Sequence, residues 1–492
     1  MQQRYQTYFV VAFATLAYCA IALMLAARGY TSASNMELRG HAMMANSGLT
    51  TFDTVVSTFP PIPHVLSIAV DRLFPIAGWL GPTTIAAIIA AFLVGAWFAA
   101  FRRNGMKVWT ALLVAALLAL NPLMLRTVYE GAGFVLLHVG LWLTAIGVFG
   151  LRRGKHVNDI ILVSLGLCFM VFSHPFGIVS VFSFLPFLAL VIPPSRLRDA
   201  PSSMFVVMLF PLIFAVLSFI YVNWVFAEGP LTFVERISRA TASLGPVSES
   251  SIARADDFRT WAIVLIGVLA VCPIGVSMFL RTRRLAPLHF SIACLFVSLL
   301  ASAILAGLYG LLPSSSLVVS LSITIAAACV ARWPAEHVHR PEPILIGAGF
   351  IGGLVVSMAD PTIETARWRS AMLNQEISIP NSEEAQLAKA LRGKDSILFD
   401  ADIAPAVVAQ IGTANGILAR STEEFRMAEL RGRTSANVIV VRSRGSIFGS
   451  DKVGRIFPEG FEQGFAGYET IFEGENWRAY SRGDQPEGGQ TR

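Results

Sequence analysis

Eleven apolar stretches, each close to the length needed to cross a bilayer, constrain this chain more than anything else in it. They lie near 8–27, 82–101, 108–124, 132–150, 157–173, 176–192, 203–226, 260–280, 288–310, 315–331 and 343–359. A hydrocarbon core about 30 Å thick takes roughly 20 helical residues to span, and a chain inside it must satisfy its own backbone hydrogen bonds. A soluble fold is excluded: 54% of the residues are hydrophobic and only 14% are charged. The first stretch is too long for a signal-peptide core, although Leu25-Ala26-Ala27 before Arg28 resembles a cleavage site.

Basic residues fall on alternate connections. Arg102, Arg103 and Lys107 form one group, then Arg152, Arg153 and Lys155, then Arg196 and Arg198. Arg281, Arg283 and Arg284 follow, then Arg332 and Arg340. The positive-inside rule places these groups and the amino terminus in the cytoplasm, and places the first loop and the polar carboxyl-terminal region outside. The net charge of +6 expresses this bias and implies no nucleic-acid partner.

The first outer loop, residues 28–81, is far longer than a connection needs. It carries Glu37 on a short amphipathic stretch, then Asp53, then a helix led by Pro60-Pro61 and holding His64, Asp71 and Arg72. That helix, 62–76, reads as interfacial or re-entrant, because Asp71 and Arg72 would be costly in hydrocarbon.

Beyond Asp360 the chain turns polar. SILFD (396–400) and ANVIVV (436–441) read as buried strands. A helix capped by Asn381 or Ser382 precedes the first, and STEEFRMAEL precedes the second. This alternation predicts a small α/β domain over 360–484, with a disordered tail at 485–492. All five cysteines (Cys19, Cys168, Cys272, Cys294, Cys329) lie in predicted spans, which leaves the outer domain without disulfides or a cysteine-based metal site.

Chemistry at the outer surface requires ionisable groups there. Arg126, Tyr129 and Glu130 close the third span, and His174 closes the fifth. Glu228, Glu235, Arg236 and Arg239 occupy the loop after the seventh. Each has a plainer reading. Glu130 suits a helix N-terminus, Arg126 can snorkel to headgroups, His174 can bond a helix end, Glu37 can face solvent, and Asp53 can serve as a turn or cap residue.

The pieces Glu37–Ala45, PPIPHVLSIAVDRLFP, FRRNG, NPLMLRTVYEGAGF and FSHPFG, taken in order, resemble the GT-C superfamily of membrane glycosyltransferases. The likeness is to the branch that includes protein O-mannosyltransferases and aminoarabinose transferases, and it covers roughly residues 8–190. It implies an all-α polytopic membrane protein of about eleven transmembrane helices (residues 1–359) with a small C-terminal α/β extracytoplasmic domain. It also implies inverting transfer of a sugar from a polyprenyl-phosphate donor to an envelope acceptor, whether lipid A, another glycolipid, a polysaccharide or a protein. By position the base is Glu37, with Asp53 the next acid. The family usually has Asp followed by a second acid where this chain has Glu37-Leu38, and a divalent metal stays an open question.

The physical logic runs beside the resemblance. A carboxylate in reach of an acceptor hydroxyl contributes about 10²–10⁴-fold as a general base. The departing lipid phosphate needs cations. Arg126 is the best placed, with Arg39 and Arg72 as helpers, while Tyr129, Glu130, His174 and His64 complete the candidate substrate-binding set. A transporter or flippase for an envelope lipid or polysaccharide, and a non-catalytic envelope assembly protein, are the alternatives. Spans without charge at mid-depth and the lack of a repeat speak against transport.

Overall fold

The computed structural model describes residues 2–74, 81–153, 157–192, 201–227, 229–234, 258–280, 286–309, 312–333, 341–375, 377, 383–443 and 451–483. The predicted loop residues Glu228, Glu235, Arg236 and Arg239, the caps Asn381 and Ser382, and the tail at 485–492 lie outside these.

The chain is a multi-pass helical membrane protein with a small mixed β/α domain at its carboxyl end. The helices are α1 (Gln2–Ala27), α2 (Ala33–Asn46), α3 (Phe52–Ser57), α4 (Pro61–Leu73), α5 (Gly81–Arg103) and α6 (Val108–Ala119). Next come α7 (Pro122–Glu130), α8 (Ala132–Arg153), α9 (Val157–Ser173), α10 (Pro175–Val191) and α11 (Pro201–Phe226). The helical part ends with α12 (Phe258–Val271), α13 (Pro273–Leu280), α14 (Ala286–Leu308), α15 (Ser315–Arg332), α16 (Glu342–Ala359) and α17 (Ile363–Met372).

Each of the eleven apolar stretches is helical, but they are not equivalent. Among the described residues, seven helices are long and apolar enough to cross a membrane. The number rises to nine if α6 with α7 and α12 with α13 each count as one span, although these pairs bend by 58° and 69°. α9 and α10 have 17 residues each, about 25 Å of helix and shorter than the hydrocarbon core.

Proline causes the first break. Pro122 cannot donate to the preceding turn, and the Asn121 side chain caps the new helix by accepting from the Leu123 amide at 3.1 Å. α16 packs directly against this kink. Asn121 also donates to the Gly349 carbonyl at 3.4 Å, and a Cβ at Gly353 would overlap the Asn121 amide.

α4 is a helix, as its proline-led start predicts, and it lies parallel to α2, with His41 against His64 and Asn46 against Asp71. In the C-terminal domain the strands are β1 (Ile397–Leu398), β2 (Ile417–Leu418), β3 (Val438–Arg442), β4 (Tyr468–Glu473) and β5 (Trp477–Arg482), in the order β2-β1-β3-β5-β4. β1 pairs in parallel with β2 and β3, whereas β5 runs antiparallel to β3 and β4. β3 is buried on both faces. Val438 and Val440 join one core with Leu387, Val407 and Val408, and Ile439 and Val441 join another with Phe425 and Ala428. The two predicted strands are β1 and β3. The predicted helices are α18 (Glu383–Leu391) and, after α19 (Pro405–Ile411), α20 (Glu423–Arg431), capped by Thr422.

α2 ties the two parts together. Its Met44 is 0% exposed and belongs to the core of the C-terminal domain. At Gly40 the backbone meets α19 so closely that a Cβ would overlap the Pro405 carbonyl. Arg28 donates to the Ala371 and Met372 carbonyls at 2.5 and 3.1 Å, and Ser421 to the Leu49 carbonyl at 3.0 Å.

Candidate functional site

The first loop meets the broken span at the end of α7. The last carbonyls of a helix have no partner within it and need outside donors. Ser32, the N-cap of α2, donates to the Glu130 carbonyl at 2.8 Å while accepting from the Asn35 amide at 3.2 Å. Asn35 donates to the Tyr129 carbonyl at 3.1 Å and to the Thr83 hydroxyl at 3.3 Å. Gly131, with φ of +146°, then reverses the chain into α8, in a space already crowded by the Asn35 and Ser34 side chains.

Arg126 and Glu130 sit beneath this junction, one helical turn apart. Nη1 of Arg126 pairs with Oε2 of Glu130, and the two residues are 0% and 7% exposed. Nε and Nη2 of Arg126 have no hydrogen-bond partner among the described residues. The guanidinium therefore does not snorkel to headgroups but lies inside the protein. Its neighbour Thr127 donates to Ser320, which in turn bonds His138, so α7 is fixed to α15 and α8 by side chains.

Three further groups, bonded to one another, lie within electrostatic reach of this pair. Tyr30 donates to Oε1 of Glu364 at 3.2 Å, and Arg367 donates to Oε2 at 2.9 Å. The Arg367 guanidinium lies 5.9 Å from the centre of the Tyr30 ring. Burial pushes the Tyr30 phenol well above its ordinary pKa, and the charges of Arg126, Glu364, Glu130 and Arg367 all act on it. Burial also raises the Glu364 carboxyl, against the pull of Arg367 and Arg126. Tyr30, Asn35, Glu364 and Arg367 were not candidates from sequence.

The other sequence candidates are dispersed. Tyr129 donates its hydroxyl to the Tyr18 carbonyl at 2.9 Å and so serves as a tie to α1. Glu37 shares a helical face with Gly40 and Met44, the face docked on the C-terminal domain, about 200° around α2 from Asn35. Arg39, on α2, is buried, which lowers the pKa of its guanidinium, and Asp71 of α4 opposes that fall. The rings of His41 and His64 meet edge to face at 4.9 Å. Arg72 is exposed at the end of α4, where a cation suits the helix dipole. Asp53 lies half-buried in the first turn of α3, which packs on the end of α11 through Phe52 and Phe226. His174 caps α10, accepting from the Phe176 amide at 3.0 Å. The sequence set thus yields one assembled pair, Arg126 with Glu130.

No group of three or more His, Cys, Asp or Glu side chains arranged to hold a metal ion occurs among the described residues. No family model matches the chain, and no curated protein matches it.

Glu384 of α18 lies close enough to Glu37 for the two charges to interact. Burial pushes Glu37 up to about 7, with Glu384 adding to the rise. Burial likewise pushes Glu384 up to about 7, opposed by Arg442, which lies 5.1 Å from the Trp477 ring, and aided by Glu383. A carboxyl raised in the folded state holds a proton that the unfolded chain has released, so its stabilising effect is present at low pH and lost as pH rises through about 7. The docked state is therefore expected to lose stability between about pH 5 and 8, and the Glu37→Gln/Glu384→Gln double variant to flatten that slope. Asp451, also pushed up to about 7 by burial, contributes in the same direction and remains in the variant. Thermal unfolding across this range checks it. An unchanged slope in the double variant would exclude the pair as its source.

Proposed function

We propose that this protein is a membrane glycosyltransferase of the GT-C kind, which draws a sugar from a polyprenyl-phosphate donor and passes it to an envelope acceptor. The observation that supports this reading best is Arg126. It is a fully buried cation on the second half of a broken span, held on one side by Glu130, with two of its nitrogens, Nε and Nη2, unused among the described residues. A guanidinium keeps its charge when buried, and its fork suits a phosphate. A phosphate reaching Arg126 would meet these free donors as negative charge develops on the leaving group.

The alternating basic connections support an outer-face placement of the first loop and of the C-terminal domain, in the cytoplasmic membrane with the amino terminus inside. Acceptor activation is assigned to Glu37, whose raised carboxyl suits a base near neutral pH but whose position at the joint requires the acceptor to enter beside the C-terminal domain. A divalent ion is a further proposed component, although no carboxylate–histidine cluster among the described residues marks its place.

A second reading, as a transporter or flippase for such lipids, draws on one observation. Two spans are broken by 58° and 69°, and discontinuous helices mark binding sites in many transporters.

The test is transfer of labelled sugar from a polyprenyl-phosphate donor by the purified protein in vesicles. Donor supplied at the outer face is expected to be consumed. Arg126→Lys should retain part of the activity and Arg126→Ala almost none, with donor affinity falling as well as turnover. Movement of intact donor across the bilayer without transfer would select the transporter instead. Full use of the donor by Arg126→Ala would place the phosphate elsewhere.

A further inference from the structure

The Arg126 pair does not stand alone. Glu364 comes from α17, the helix that leads from the last span toward the C-terminal domain, and its side chain is 0% exposed. Both of its carboxylate oxygens accept hydrogen bonds, from Tyr30 at 3.2 Å and from Arg367 at 2.9 Å. Tyr30 lies two residues before Ser32, which bonds the Glu130 carbonyl. The two arginines and two glutamates of this cluster balance, so it is electrically neutral before an anion arrives. Four charges held in a buried space are weakly screened, and each acts on the others' ligands.

We propose that Glu364 is a positioning residue for the donor phosphate, a fixed buried charge from α17 that sets the electrostatic potential an anionic lipid headgroup meets at Arg126. This rests on the assignment of Arg126 as the phosphate-binding cation. Arg367 opposes Glu364 from the same helix, so the two residues set donor affinity in opposite directions.

The experiment measures binding of a polyprenyl monophosphate to the full-length protein in nanodiscs of zwitterionic lipid. Glu364→Gln removes one negative charge and is expected to tighten binding by about tenfold or more, the order given by one unit charge within about 12 Å in a medium of effective dielectric roughly 20. Arg367→Gln is expected to weaken binding by a similar factor, while Glu364→Asp and Arg367→Lys, which keep the charges, stay near wild type.

A purely structural role predicts weaker binding in both glutamine variants, and that result overturns the proposal. Should Glu364→Gln not fold, the Arg367 pair decides. Equal loss in Arg367→Lys and Arg367→Gln overturns the proposal, and rescue by lysine upholds it. Displacement of the lipid by millimolar inorganic phosphate would overturn the lipid assignment. Arg126→Ala separates the two levels. If it binds the lipid normally, the phosphate assignment itself fails. If it loses binding while Glu364→Gln shows no gain, only the role of Glu364 fails.

Discussion

Glu130→Ala is expected to destabilise the folded protein by about 3–5 kcal/mol, the range for removing one partner of a buried ion pair. The reason lies in what is left behind. Arg126 is 0% exposed, and its only hydrogen-bond acceptor among the described residues is Glu130. Glu364 acts on the same guanidinium at longer range, which limits the loss but does not replace the bond. Removing both partners in Arg126→Met/Glu130→Ala is expected to recover much of the stability, because no uncompensated charge then remains in the interior. Unfolding in detergent, followed for the two single variants and the double variant, measures this directly. A Glu130→Ala protein as stable as wild type would mean that water reaches the guanidinium. From sequence Glu130 is one of several candidate substrate-binding residues. Burial makes it the partner whose loss matters most for the fold.

Gly40→Ala is expected to loosen the C-terminal domain from the first loop at a cost near the upper end of about 1–3 kcal/mol, the usual range for overpacking. The added Cβ would collide with a backbone carbonyl, that of Pro405, which has no rotamer to relieve the clash. Gly40→Val should be worse. Faster hydrogen–deuterium exchange over β1 and α19, together with a lower unfolding temperature, is the expected signature. Wild-type exchange in the valine variant would show that the two helices separate there without cost.

The helices were legible because the bilayer imposes length and apolarity on every span, whereas the bends depend on single residues. Pro122 marks a break, but whether α7 continues outward or turns is decided by Asn121 and by α16 against it. β1 and β3 were legible because burial on both faces leaves an unbroken apolar run. β4, with the sequence YETIFE, is largely solvent-facing, so its pattern carries little signal, and the two-residue β2 carries less.

The candidate site was legible only in part. Arg126 and Glu130 stand one turn apart in sequence, and the structure keeps them together. Glu37 failed to join them because its helical phase on α2 points at the C-terminal domain, and nothing local in the sequence fixes which partner each face of α2 will take. Glu364 and Arg367 lie more than two hundred residues from Arg126 in the chain, and only tertiary packing unites them.

Met44 has a consequence for how the molecule is made. It fills the core of a domain whose own strands are synthesised only after every span has been completed, and Ser421 closes onto Leu49 across 372 residues of chain. The first loop must therefore wait, its apolar methionine uncovered, through most of synthesis. The C-terminal domain, when it emerges, completes its interior with a residue supplied from the other end of the polypeptide. Contacts this distant in sequence form late and slowly. The last stage of folding is thus also the inspection of the first: a helical bundle that has misplaced its opening loop offers the terminal domain no plug.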